Sequence, residues 1–150
     1  ITILMKIKRF EDLECWMLAR EFVKYIYKLT RKPRFSKDLR LVGQVTNASV
    51  SIMNNIAEGW ASQSNPELMR FLKYSRRSCA ECQNCLYVAL DQDYITEDEF
   101  SVGYEMASRV TQVIDGLLRY LRSYGNRQRG MQVKDVLSAY FGKSDSDAGD

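Results

Sequence analysis

The sequence predicts an all-α fold, an up-down-up-down antiparallel four-helix bundle, on three observations. Apolar residues recur at steps of three and four through four long stretches, the spacing that gathers them on one helix face. Only two prolines occur in 150 residues, so those stretches are free to run as helices. The breaks between them are short, and short connections make successive helices antiparallel neighbours.

The first helix is expected to begin near Glu11, where Glu11, Asp12 and Glu14 oppose the positive end of the helix dipole. Its face reads Leu13, Trp16, Met17, Val23, Ile26 and Tyr27, and Pro33 ends it by pushing the preceding residue out of helical geometry. Ser36 is the expected N-cap of the second helix, with the face Leu39, Val42, Val45, Ser49, Ile52 and Ile56 and with Gly59 at its C-terminal end. The third opens with Asn65 as N-cap and Pro66 at the first helical position, then buries Leu68, Leu72, Ser75, Cys79, Cys82 and Leu86. Thr96 and Glu99 form a capping box for the fourth, which runs along Phe100, Gly103, Ala107, Val110, Ile114, Leu117 and Leu121 until Gly125 stops it. Small residues in these faces (Ala48, Ser49, Ser75, Gly103, Ala107) permit close helix approach. The expected organisation is an N-terminal extension at residues 1–9, the bundle at 10–125, and a flexible C-terminal tail at 126–150. Residues 133–141 of that tail are suited to a short helix formed on contact with a partner.

Composition excludes several kinds of chemistry. There is no histidine, which removes Ser-His-Asp and Cys-His nucleophiles, Cys₂His₂ zinc fingers and the Glu-x-x-His di-iron bundles. Neither GxGxxG nor GxxxxGK[ST] occurs. Glu58 and Glu81 lack the cleft and companion group that acid–base work needs. Cys79, Cys82 and Cys85 are spaced three apart, but on one continuous helix they span more than a turn, and only Cys15 is left as a fourth thiolate. Packing as small hydrophobes explains them better. The expectation is a non-enzyme with no metal and no cofactor. Four cysteines without a secreted spacing pattern, a start too short for a signal peptide and no membrane-length apolar run point to a cytoplasmic protein.

Net charge is only +3, but its distribution is uneven. Residues 20–40 hold eight basic and two acidic side chains, whereas residues 91–105 hold six acidic and no basic ones. Arg20, Lys24, Lys28 and Arg31 share one helix face by their spacing, and Arg70, Lys73 and Arg77 share another with Arg76 beside them. Arg119 and Arg122 end the fourth helix. Stripes of one sign with Tyr25, Tyr27 and Tyr74 interleaved suit contact with nucleic-acid phosphates. A solvated helix face is the plainer account of any single stripe.

Phe10-Glu11-Asp12-Leu13, then Trp16, Ala19 and Ile26-Tyr27-Lys28-Leu29-Thr30, followed by Ser51-Ile52 and the run Asn54-Asn55-Ile56-Ala57-Glu58-Gly59, form a recognisable set. With Glu67 and Arg70-Phe71-Leu72, this set resembles the four-helix-bundle proteins encoded in intervening sequences of large-subunit ribosomal RNA. The resemblance spans residues 10–124, and its motif is Asn55, Ile56, Ala57, Glu58 and Gly59. That family is similar in turn to the accessory variability proteins of diversity-generating retroelements. The resemblance implies a homo-oligomeric ring, a pentamer, that binds RNA or DNA and serves as an accessory subunit of a reverse transcriptase. Exposed aromatics, Trp16 and Trp60 among them, would then anchor subunit contacts. This chain departs from the family where paired arginines are common in the second helix, carrying Thr46-Asn47 instead, and it has Met53 where Pro is frequent. It also carries Arg77-Ser78 in place of a small pair, which shifts basic charge to the third helix. The alternative is a structural adaptor oligomer without nucleic acid, in which residues 20–40 meet residues 91–105 of a neighbour; in an up-down bundle the two segments lie at the same end, so their charges can instead cancel within one subunit.

Overall fold

Periodic apolar faces become five α-helices, with no strand among the described residues: α1 (Glu14–Thr30), α2 (Leu39–Ala61), α3 (Asn65–Asp91), α4 (Glu97–Gly125) and α5 (Val133–Lys143). The coordinates are a computed structural model that describes residues 7–125 and 132–143. α2 lies against α1 and α3, and α4 lies against α3 and α1, so each long helix has two neighbours round one core. Cys15, Ala19, Phe22, Ile26 and Leu29 of α1 are buried at alternating steps of four and three, as a core-facing stripe requires. Phe22, Ile52, Ile56, Leu68, Leu72, Leu86 and Ile114 are among the side chains fully removed from water. Each such burial contributes about 1.5–3 kcal/mol before entropy is counted.

Helix starts differ from expectation where tertiary packing intervenes. Phe10–Asp12 is a 3-10 turn and α1 begins only at Glu14. The Asp12 carboxylate accepts from the backbone N–H groups of Lys8 (3.0 Å) and Arg9 (3.2 Å), and these bonds hold it below the usual carboxylate range. Asp38, not Ser36, caps α2, accepting from the Leu41 N–H at 3.0 Å. The reason is Phe35: it is buried and stacked on Tyr94 at 5.4 Å, so the chain makes an extra 3-10 turn, Phe35–Lys37, before the helix starts. The Ser36 hydroxyl donates back to the Pro33 carbonyl, ahead of that turn, at 3.0 Å. Ser64 caps α3 in place of Asn65, which becomes the first helical residue. The α4 capping box forms as predicted: the Glu99 N–H donates to the Thr96 hydroxyl at 3.1 Å and the Thr96 N–H to the Glu99 carboxylate at 2.9 Å.

Gly59 sits inside α2 and does not terminate it. A Cβ there would lie 3.0 Å from Phe71 Cβ and 3.3 Å from the Leu68 backbone, so the missing side chain sets how closely α2 meets α3. Polar atoms on that seam are paired: the Ser75 hydroxyl donates to the Ile52 carbonyl at 2.9 Å and the Ser78 hydroxyl to Ser51 at 3.1 Å. Trp60 is buried in the core, and Trp16 is half-buried against Phe10, so neither stands free as a subunit anchor. Among the described residues the exposed large apolar side chains are instead Met17, Tyr27, Leu39, Tyr87, Val88 and Val102.

Two segments outside the expected bundle, at Ile7 and at Val133–Lys143, carry defined structure. Ile7 is buried in the core, inside the stretch expected to be an extension. In the expected tail, α5 packs on α4 of its own chain and fully buries Val133, Val136 and Leu137, so this helix needs no partner to form. Residues 126–131 and 144–150 lie outside the described residues.

The basic and acidic segments meet within one subunit. Lys32 pairs with Glu99, Arg34 donates to the Asp93 carbonyl at 3.4 Å, and the Tyr94 hydroxyl donates to Asp38 at 3.1 Å. The Lys32 ammonium, aided by the Thr96 N–H, holds the Glu99 carboxyl below its usual range. A folded-state value below the unfolded one means that stability is present at neutral pH and lost as pH falls through the folded value. Acidification from about pH 6 to about pH 3 should therefore remove up to about 1 kcal/mol through this group, after allowance for solvent screening. Glu99→Gln keeps the cap and loses the charge, so its acid limb in a denaturation series should be shallower than the unmodified protein's. Superimposable acid limbs would rule this coupling out.

Candidate nucleic-acid interface

The basic stripe of α1 borders a cleft against α2. Arg20, Val23, Lys24, Tyr27 and Arg31 line it with Met53 of α2, enclosing about 400 Å³. Val23, Tyr27 and Met53 supply carbon to its lining, and Arg20, Lys24 and Arg31 are exposed; long cationic side chains characteristically lay their stems on such carbon and keep the charge in water. Arg20 lies 5.7 Å from the Trp16 ring centroid, and Lys24 is bound to Glu21 at 2.8 Å. Lys28 and Arg31 are exposed, and neither makes an ion pair among the described residues. Tyr25, interleaved in the same stretch, turns inward and donates to the Glu99 carbonyl at 3.0 Å.

On α3 the predicted quartet divides. Arg70 and Arg77 flank Tyr74, their guanidinium carbons 5.8 Å and 5.7 Å from its ring centroid, with Lys73 exposed on the same helix. Arg70 is also bound to Glu67 at 2.6 Å, whereas Lys73 and Arg77 make no ion pair among the described residues. Arg76 does not join them. One residue is about 100° of helix rotation, and that turn carries Arg76 to α4, where it meets Asp115 at 2.7 Å.

Between the two stripes runs α2, packed against both helices that carry them. Its exposed residues include Gln44, Asn47, Asn54 and Glu58, and Glu58 is the only acidic residue in the helix. At positions 46 and 47 of this helix, the Thr46 hydroxyl is turned onto its own helix, donating to the Val42 carbonyl at 2.6 Å, and Asn47 is exposed. The face α1–α2–α3 is therefore built on a polar helix with one carboxylate, packed between two helices that carry exposed cations.

The motif residues are mostly architectural. Asn55 donates to the Ser51 carbonyl at 2.8 Å, Ile56 is in the core, Gly59 admits α3, and Ala57 is half-buried. Only Glu58 is exposed. The four cysteines are buried and unbridged, and burial pushes their thiols up, to about 12 for Cys15 and about 11 for Cys79. No group of three or more metal-ligating side chains occurs among the described residues. Nor does any helix there have the length and apolarity to cross a membrane.

Two arginines carry more of the surface than their place in the sequence indicates. Arg119 and Arg122 stand beside Arg76 in a second cleft between α3 and α4. Their spacing of three signals a shared helix face, but nothing local to α4 points to Arg76 as their neighbour.

A family profile described as "23S rRNA-intervening sequence protein" matches residues 11–116. Among solved structures, a protein of unknown function from the S23 ribosomal protein family of Bacteroides thetaiotaomicron is similar, with a TM-score of 0.65 and 18% identity over 70% of this chain and 98% of that one. At that identity the likeness is one of fold. No curated protein matches the chain.

Proposed function

The chain belongs to the 23S rRNA-intervening sequence protein family, and on that premise we propose that it is a non-enzymatic nucleic-acid-binding protein using the α1–α2–α3 face. One observation carries this: two basic stripes flank a helix with a single carboxylate, and Arg20, Lys28, Arg31, Lys73 and Arg77 have no acidic partner among the described residues. Cations without internal partners keep their charge for phosphates, and binding is driven by release of condensed counterions. Tyr27 and Tyr74, set among those cations, offer rings for unpaired bases. Side chains spread along helix faces hold a phosphate backbone without reading base edges, so the affinity is indifferent to sequence.

The proposal takes the four long helices as an up-down-up-down bundle, which their pattern of neighbours supports, and a homo-oligomeric ring with a reverse-transcriptase partner completes it. Those two parts rest on the resemblance over residues 10–124. A ring multiplies each subunit's stripe into avid binding, and Leu39, 78% exposed, suits burial at a subunit contact. The adaptor alternative is weakened because Lys32 and Glu99, from the two segments it would join across subunits, already pair within one chain.

The test is titration of labelled RNA and DNA oligonucleotides of differing sequence over a salt series, with light scattering in the same buffer. Comparable affinity on every sequence, a linear log–log salt dependence and a mass several times 17.4 kDa are expected. Absence of binding at about 100 mM salt would replace this proposal with the adaptor, and a monomeric mass would remove the ring.

A further inference from the structure

Round α3 from the face just described, three arginines line one small cleft. Arg76 of α3 and Arg119 and Arg122 of α4 line about 240 Å³ together with Asp115 and Leu118. Among the described residues Asp115 is the only carboxylate lining it, and it is taken by Arg76 at 2.7 Å. Arg119 and Arg122 make no ion pair among the described residues. The cleft thus keeps an excess of two positive charges. Leu118, buried at 1% exposure, adds hydrocarbon to its lining.

We propose that Arg76, Arg119 and Arg122 form a cradle for one phosphate group, distinct from the α1–α2–α3 face. Planar guanidinium forks match phosphate oxygens in paired hydrogen bonds, and three of them exceed what one carboxylate can neutralise. Asp115 has two effects. It orients Arg76 across the helix pair, and it competes with the incoming anion for the same guanidinium. The phosphate is supplied either by a free phosphomonoester or inorganic phosphate, or by a nucleic-acid backbone. The cradle stands whether or not the α1–α2–α3 face binds nucleic acid.

The experiment measures thermal stabilisation by inorganic phosphate at constant ionic strength, with chloride as the balancing anion, and in parallel by a short single-stranded DNA. Arg119→Gln with Arg122→Gln should weaken the response about tenfold, while Lys73→Gln with Arg77→Gln should leave the phosphate response intact. Asp115→Asn should tighten phosphate binding by about three- to tenfold, even though it breaks an ion pair of the folded protein. A merely structural role for the cluster would lower the melting temperature in that variant without changing phosphate affinity. Stabilisation by inorganic phosphate supports a free-phosphate cradle. Stabilisation by the oligonucleotide alone, lost in the Arg119/Arg122 variant, supports a backbone-phosphate cradle. If neither ligand distinguishes the Arg119/Arg122 variant from the unmodified protein, or if Asp115→Asn does not tighten binding, the cradle is refuted.

Discussion

Changing Arg20, Lys28, Arg31, Lys73 and Arg77 together to Gln should reduce nucleic-acid affinity on the order of 100-fold at about 100 mM salt, on every sequence alike. Each is exposed and makes no ion pair among the described residues, so its removal takes charge from the phosphate-facing surface and breaks no internal bridge. The log–log salt slope should flatten by up to about 0.9 for each duplex phosphate that is no longer neutralised. Lys24→Gln with Arg70→Gln is the informative comparison. Those cations are already bound by Glu21 and Glu67, so their removal should cost much less affinity per charge. Helical content should be unchanged in both variants, because none of the seven residues contributes to the core. A fivefold variant that binds as tightly as the unmodified protein, with the same salt slope, would show that the α1–α2–α3 face is not the site.

Gly59→Val should destabilise the fold by about 3 kcal/mol, lowering the melting temperature by about 10 °C for a chain of this size. Valine has the better intrinsic helix propensity, but the gain is well under 1 kcal/mol. Against it stand a Cβ 3.0 Å from Phe71 Cβ, 3.1 Å from Leu68 Cδ1 and 3.3 Å from the Leu68 Cα, the last being backbone that cannot swing aside. The branched methyl groups must then be fitted into a seam where α2 and α3 pack closely, which forces the helices apart. Seen as a helix-ending residue, Gly59 would tolerate valine with little loss. A melting temperature within a degree or two of the unmodified protein's would favour that helix-end role over the packing one.

The helices and most of their buried faces were legible in the sequence because they depend on local physics. Ile52, Ile56, Leu72, Cys79, Cys82, Ala107 and Ile114 are core residues whose spacing alone places them there. The Thr96–Glu99 box was legible for the same reason: both partners lie within four residues. Caps failed where a neighbouring element competed. Ser36 is as good an N-cap by type as Asp38, but burying Phe35 against Tyr94 moved the helix start two residues on. For the site, the stripes on α1 and α3 were visible as spacings. Their inequality was not, because whether a cation is free for a ligand depends on the carboxylates that the fold brings to it.

What the sequence by itself determined is the set of helices, the inward face of each and the residues from which a basic surface could be built. A 3.6-residue period and a side chain's reach to its own backbone act over a few residues and need no knowledge of the rest of the chain. Tertiary structure alone decided which stripes share a surface. It placed α2 between the cations of α1 and α3, separated Arg76 from Arg70 and Arg77, and joined it to Asp115, 39 residues away, beside Arg119 and Arg122. It also made Gly59 a packing residue and seated α5 on α4. Exposed charges interact appreciably only within a Debye length, about 8–10 Å, so their partners are set by neighbours in space that helix packing supplies.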